Sequence, residues 1–372
     1  MKTKQLGRRD FLKASAAVAG VAATGGLGYL RFASAAQIEA PTVDRLSIRI
    51  LVDSSFDLFM RPTKLNGVTI EPPPRAADFR RTVHNEWGLS LWLESQRAAD
   101  QRTIMLDYGY TQNVLQNNME LVGVDPAKLN ALIVSHGHYD HFGGLMGFLE
   151  KHRGKLPAEI RLYTGGEDNF CHRVSPTSTP GQFTDFGTLD RRELAARRIT
   201  TVLAEDPVVI EGHAFTTGKI KRSSIERVLP NTFVEFGMKD GLGCNTSHYL
   251  PAEMAGKIVP DQHLHEHATC FNIKDKGLVV ISSCGHAGIV NSVRQAQEVS
   301  GIEKVHAIAG GFHLGPAPKD YLAQVVSEIK KLKPDLLIPM HCSGLNFVQE
   351  ARAQMPDNVL VTTTGSRITF GG

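Results

Sequence analysis

A chain of 372 residues with 42% hydrophobic and 21% charged residues can bury a large core, which excludes a disordered or collagen-like protein. Its formal charge of +3 is carried by the first 35 residues, where six basic side chains (Lys2, Lys4, Arg8, Arg9, Lys13, Arg31) face one acid, Asp10, leaving 35 basic against 37 acidic residues elsewhere. A body with that balance has no electrostatic footprint for nucleic acid.

In chain order, the first element is the arginine pair Arg8-Arg9 ahead of Phe11-Leu12, followed by the uncharged stretch Ala14 to Leu30 and the small-residue run Ala33-Ser34-Ala35-Ala36. This resembles a twin-arginine signal peptide over residues 1–35, cleaved near Ala35. The uncharged stretch is short and rich in Ala and Gly, weak for a bilayer span of about 20 residues. The expectation is export by the twin-arginine machinery to the periplasm or the extracellular space, without stable membrane insertion.

The body, residues 36–372, alternates apolar runs with helical patterns. Strands are expected at Leu46–Val52, Leu89–Glu94, Thr103–Leu106 and Ala131–Val134. Helical spacing follows at Val114–Val122 and Phe142–Leu149. Between about 156 and 262 the periodicity weakens, and turn residues such as Ser175-Pro176-Thr177-Ser178-Thr179-Pro180-Gly181 suggest an insertion or lid. Later come strands at Leu278–Ile281, Val305–Ala309, Leu336–Ile338 and Val359–Val361, with helices at Ile289–Val299 and Tyr321–Leu332. The pattern is α/β.

Five cysteines, an odd number without framework spacing, argue against a disulfide scaffold. Fifteen histidines are a stronger clue, because several cluster. Ser135-His136-Gly137-His138-Tyr139-Asp140-His141-Phe142-Gly143-Gly144-Leu145 sets three imidazoles and a carboxylate just after a strand. Such donors suit zinc, or manganese or iron. Two residues apart at a strand end, His136 and His138 project the same way and can share one ion. Asp140 and His141, on the turn into a helix, can serve a second.

The His-x-His-x-Asp-His motif resembles the signature of the metallo-β-lactamase-fold superfamily. That resemblance implies a four-layer αββα fold with a long insertion between the first histidine motif and the later metal motifs. Leu106-Asp107-Tyr108-Gly109 is similar to the superfamily's Asp-Thr-Gly turn, so Asp107 either orients the ligand loop or simply forms the turn. Cys284-Gly285-His286-Ala287-Gly288, Gly310-Gly311-Phe312-His313-Leu314, His341-Cys342-Ser343-Gly344, Glu86-Trp87-Gly88-Leu89-Ser90 and Glu266-His267-Ala268 resemble the branch typified by dihydropterin ribofuranosylaminobenzene phosphate synthase. By that resemblance His341 supplies the second ion, and His286, Cys284 or both take the place of the usual bridging aspartate. One or two divalent ions are expected.

Other residues keep open roles. His313 could donate a proton near the metal, orient Asp140, or pack. The histidines of His263-Leu264-His265-Glu266-His267 read best as a solvated or supporting cluster, and Cys342 as packing. The helix beginning near Ala287 could anchor a phosphate or carboxylate with its backbone N–H groups. The functional expectation is an exported hydrolase acting on an ester, phosphoester or related bond of a small molecule, with an anionic substrate as one option. The alternatives are a transferase that releases diphosphate and a non-catalytic metal- or ligand-binding protein.

Overall fold

Alternation along the strands decides which layer each side chain joins, because successive residues point to opposite faces of a sheet. The structure, a computed structural model, describes residues 37–229, 232–246 and 258–371. The expected signal peptide, residues 1–35, lies outside the described residues. No described helix is long and apolar enough to cross a membrane.

Two large sheets carry the body. The nine-stranded sheet runs, in spatial order, Thr200–Leu203, Arg161–Thr164, Ala131–Val134, Asp100–Leu106, Ser90–Arg97, Arg45–Val52, Arg367–Gly371, Val68–Glu71 and Thr63–Leu65. The seven-stranded sheet runs Val209–Ile210, Ala214–Thr216, Thr269–Ile273, Gly277–Ser282, Val305–Gly311 and Leu336–Met340, with Thr42–Val43 paired in parallel to Thr269–Ile273.

Ala131 and Ile133 face inward with Leu46, Ile48, Leu91, Leu93 and Ile104, where they meet Phe271, Val279, Ile281, Ala307 and Ile338 of the other sheet. Their strand neighbours Leu132 and Val134 turn outward to Leu115, Met119, Leu145 and Phe148 of the helices Gln112–Val122 and Leu145–His152. On the far side, Leu278 and Val280 pack against Val290, Val293, Val325 and Ile329 of the helices Ile289–Ser300 and Lys319–Lys331. The result is helix, sheet, sheet, helix: the four-layer αββα arrangement. Strands buried on both faces read as continuous apolar runs, which is why Ala131–Val134 was visible in the sequence.

Three boundaries differ from the expectation. The last strand is Arg367–Gly371, whose Ile368 and Phe370 face the core, whereas Val359 makes only an isolated bridge to Leu337. The helix expected from Phe142 is broken: one turn at Tyr139–Phe142, then Gly143-Gly144, then Leu145–His152. The weakly periodic stretch 156–262 adds Arg161–Thr164 and Thr200–Leu203 to one main sheet and Val209–Ile210 and Ala214–Thr216 to the other. What stands apart is a four-stranded sheet of Phe183–Asp185, His172–Pro176, Phe233–Glu235 and Ile258–Pro260, with a two-stranded sheet of Met238–Lys239 and Leu242–Gly243. A buried bridge between Cys171 and Cys244 fastens this region, a pairing the cysteine spacing did not announce.

Candidate metal centre

The histidine motif leaves the end of Ala131–Val134 and is held from below by Asp107. One carboxylate oxygen accepts the Ser135 N–H at 2.7 Å; the other lies 2.7 Å from both the Ser135 hydroxyl and His141 Nδ1. Ser135 Oγ in turn lies 3.0 Å from His136 Nδ1. If each Nδ1 carries the proton in these contacts, the Nε2 lone pairs of His136 and His141 are left free. Both Nε2 atoms are buried without a hydrogen-bond partner. Asp107 thus orients the loop, as its resemblance to the Asp-Thr-Gly turn implies, and it does so from a left-handed backbone at φ 58°.

The segment Glu86 to Ser90 braces the same loop. Leu89 N–H donates to the Asp140 carbonyl at 3.3 Å, and Ser90 Oγ donates to the Asp107 carbonyl at 2.8 Å. A Cβ on Gly88, at φ +138°, would stand 2.5 Å from the Asp140 carbonyl, so only glycine permits this approach. Gly137 answers to the same rule, since its Cβ would meet Arg173 Nη1 at 2.3 Å.

Two distant segments deliver the remaining donors. His286 follows the strand Gly277–Ser282, and its ring lies 5.0 Å from that of His136 and 4.8 Å from that of His138. His341 follows Leu336–Met340; Asp53 Oδ1 accepts its backbone N–H at 2.7 Å, and Ser54 Oγ lies 3.2 Å from its Nδ1. The freed Nε2 of His341 is 3.3 Å from Asp140 Oδ2.

Ligand atoms of His136, His138 and His286 lie within 4.8 Å of one another, as do those of Asp140, His141 and His341. Cys284 forms a third such group with His136 and His141, one member from each of the first two, and a further one with His313 and Cys342. The structure therefore brings together every residue expected as a ligand. Burial holds His136, His138 and His286 well below the usual imidazole range, which keeps them neutral, the form that binds a cation.

The donor chemistry fits a divalent metal. His136 Nε2, His141 Nε2, His341 Nε2, Asp140 Oδ1 and both ring nitrogens of His286 are buried without any hydrogen-bond partner. Native folds rarely leave so many polar atoms unsatisfied unless something outside the chain satisfies them.

Other expectations change. His313 contacts Cys284 Sγ through Nδ1 at 3.6 Å and its ring lies 4.1 Å from that of His286, tilted by 44°, while Asp140 Oδ2 faces His341. Cys342 does more than pack: its sulfur lies 3.1 Å from Cys284 Sγ and accepts the His313 N–H at 3.2 Å. The histidines of 263–267 are buried rather than solvated. The helix end near Ala287 holds no free anion seat, because the Glu226 carboxylate accepts the N–H groups of Ile289, Val290 and Asn291 at 2.8, 2.9 and 3.2 Å. Sequence reasoning missed Asp53, Arg173, Glu226 and Asp261. Each acts on a partner far along the chain, and none sits in a motif of its own.

Fold and donor sets together are those of the metallo-β-lactamase fold. Residues 93–169 match the family described as the metallo-beta-lactamase superfamily, and residues 5–25 match the twin-arginine translocation signal sequence. The chain also resembles 7,8-dihydropterin-6-methyl-4-(beta-D-ribofuranosyl)-aminobenzene-5'-phosphate synthase of Methanocaldococcus jannaschii. The two are 27% identical over 278 residues, covering 72% of this chain and 84% of that protein. An uncharacterized protein of the same organism is 25% identical over 247 residues, covering 66% of this chain and 80% of that protein. Among solved structures, Tm1679, described as a metal-dependent hydrolase of the beta-lactamase superfamily, superposes with a TM-score of 0.62. It is 19% identical and covers 87% of this chain and 98% of its own.

Proposed function

We propose that this protein is an exported metal-dependent hydrolase of the metallo-β-lactamase superfamily, acting on an ester, phosphoester or related bond of a small molecule. The observation that carries the reading is the convergence of buried donors from three segments on two three-residue sets, most of them with a ring nitrogen or carboxylate oxygen that has no hydrogen-bond partner. When bound there, an ion such as zinc supplies hydroxide at neutral pH and polarises a carbonyl or phosphoryl oxygen.

The chain's own residues do the rest. His136, His138 and His286 would hold a first ion, with Asp140, His141 and His341 available to a second and Cys284 between them. Asp140 Oδ1 has no hydrogen-bond partner and Oδ2 lies 3.3 Å from His341 Nε2; in this reading Asp140 takes a proton from the attacking group. His313, partly exposed beside His286, is placed to return a proton to the leaving group. The twin-arginine match and the buried Cys171–Cys244 bridge support a periplasmic or extracellular site of action.

The synthase relative favours a second reading, a transferase that releases diphosphate. Against it stands Glu226, whose carboxylate fills the helix end where a phosphate would gain most. The test is metal content and turnover. Purified protein should carry transition metal that His136→Ala and His138→Ala lose. A panel of esters, thioesters, lactones and phosphoesters should show turnover that a chelator removes and added metal restores. Full metal retention in both variants overturns the centre; metal without hydrolysis of the panel moves the assignment to the transferase.

A further inference from the structure

The run from His263 to His267 braces the centre at three of its positions. His265 Nε2 accepts the Gly137 N–H at 2.9 Å, and His267 Nε2 donates to the Val134 carbonyl at 3.2 Å. Glu266 accepts the N–H groups of His286 and Ala287 at 3.1 and 2.6 Å. His263 has no such task. It is 1% exposed, and neither ring nitrogen has a hydrogen-bond partner. Leaving a buried polar group unsatisfied costs about 1–3 kcal/mol. His263 also sits at φ 50°, a left-handed conformation that a residue with a side chain adopts against a steric penalty. Two unfavourable features at one residue call for a favourable interaction that the surrounding protein atoms do not provide.

The position of the ring says what that interaction is. His263 stacks on His286 with ring centres 3.9 Å apart and 22° between planes, and lies 4.9 Å from His138. Its Nδ1 is 3.5 Å from Asp261 Oδ2. Asp261 is itself held firmly, with Oδ2 accepting from Arg173 Nε at 2.7 Å and Oδ1 accepting the His263 backbone N–H at 2.8 Å. Each carboxylate oxygen keeps a second lone pair. Ligand atoms of His138, Asp261 and His263 lie within 4.8 Å of one another. Two imidazoles and a carboxylate at that spacing are a donor set for a divalent transition cation.

We propose that Asp261 and His263 are cation ligands, forming with His138 a second seat for the ion that His136, His138 and His286 also bracket. His138 is common to both sets, so the two seats hold one ion between them. The first set offers three neutral rings; Asp261 adds a carboxylate oxygen, held in place by Arg173. This inference rests on the metal-centre reading above.

Cobalt(II) titration of the purified chain, followed by visible absorption and elemental analysis, tests it on the unaltered protein, His263→Ala, His263→Asn, Asp261→Asn and His136→Ala. Circular dichroism selects the variants that fold. The expected result is binding weakened by about tenfold or more, at unchanged stoichiometry, with an altered cobalt spectrum in the His263 and Asp261 variants. Weaker binding with an unaltered spectrum would make both residues mere supports and overturn the proposal. Unaltered affinity and spectrum, with His136→Ala unable to bind, would overturn the proposal and leave the metal centre standing. If His136→Ala also bound as the unaltered protein does, both would fall.

Discussion

The indole of Trp87 lies against the imidazole of His341, with ring centres 4.8 Å apart and planes inclined at 54°. Trp87 is 57% exposed, so it forms a wall of the second donor set that also faces solvent. The chain has two tryptophans, and the other, Trp92, is 1% exposed within the core under the helices. Loading with cobalt(II), a quenching ion, should therefore dim the emission of the exposed indole while the buried one persists. In Trp87→Phe the metal-dependent part of the signal should vanish, although metal content stays the same. An equal quench in that variant would place the ion elsewhere.

Asp107 gathers Ser135 and His141 onto one carboxylate, so its charge matters more than its volume. Asp107→Asn should fold, yet bind zinc about 10- to 100-fold more weakly, the usual effect of removing a group that orients a ligand. Competition with a chromophoric chelator measures this directly. Unchanged affinity would reduce Asp107 to a turn residue.

Cys171 and Cys244 are 73 residues apart in sequence. Closing a loop of that length removes unfolded-state entropy worth on the order of 4 kcal/mol. The paired change Cys171→Ser with Cys244→Ser should lower the unfolding free energy by up to about 4 kcal/mol, read as a lower denaturant midpoint. A midpoint equal to that of the unaltered protein would show that the bridge adds nothing.

His213 is 1% exposed, and burial lowers its pKa even though Ser95 Oγ and an Asp100 carboxylate oxygen lie 2.9 and 3.2 Å from its ring nitrogens. The same imidazole in the unfolded chain titrates near about 6.5. Below that point the unfolded state binds the proton first, so stability falls as the pH drops from about 6.5 toward the lowered native value. His213→Asn should flatten this part of the profile. Urea midpoints near about pH 7.5 and pH 5.5 check it, and an unaltered pH slope in the variant would count against the assignment.

The layers and the histidine motif were legible because both are written in local spacing. Ile133 and Val134 reveal two buried faces of one strand, and His136, His138, Asp140 and His141 fall within six residues. Arg367–Gly371 was overlooked in favour of Val359–Val361, since a brief alternation of Ile368 and Phe370 looks weaker on paper than a valine pair. Asp53 and Asp261 were invisible for another reason. Asp53 meets His341 across 288 positions, and Asp261 gains its meaning only from Arg173 and His138. No window of sequence holds both partners. Glu226 taught the converse: a helix end beside the site was readable, but the carboxylate already seated on it was not.

Thr42 and Val43 pair with Asn272 and Ile273. The body's first strand therefore waits for a partner made some 230 residues later, and it lies only a short tether beyond the matched export sequence at 5–25. Synthesis must run most of its course before the front of the molecule can be stitched down. A translocon that threads chains through unfolded would outrun that stitch, whereas a carrier of finished cargo would not.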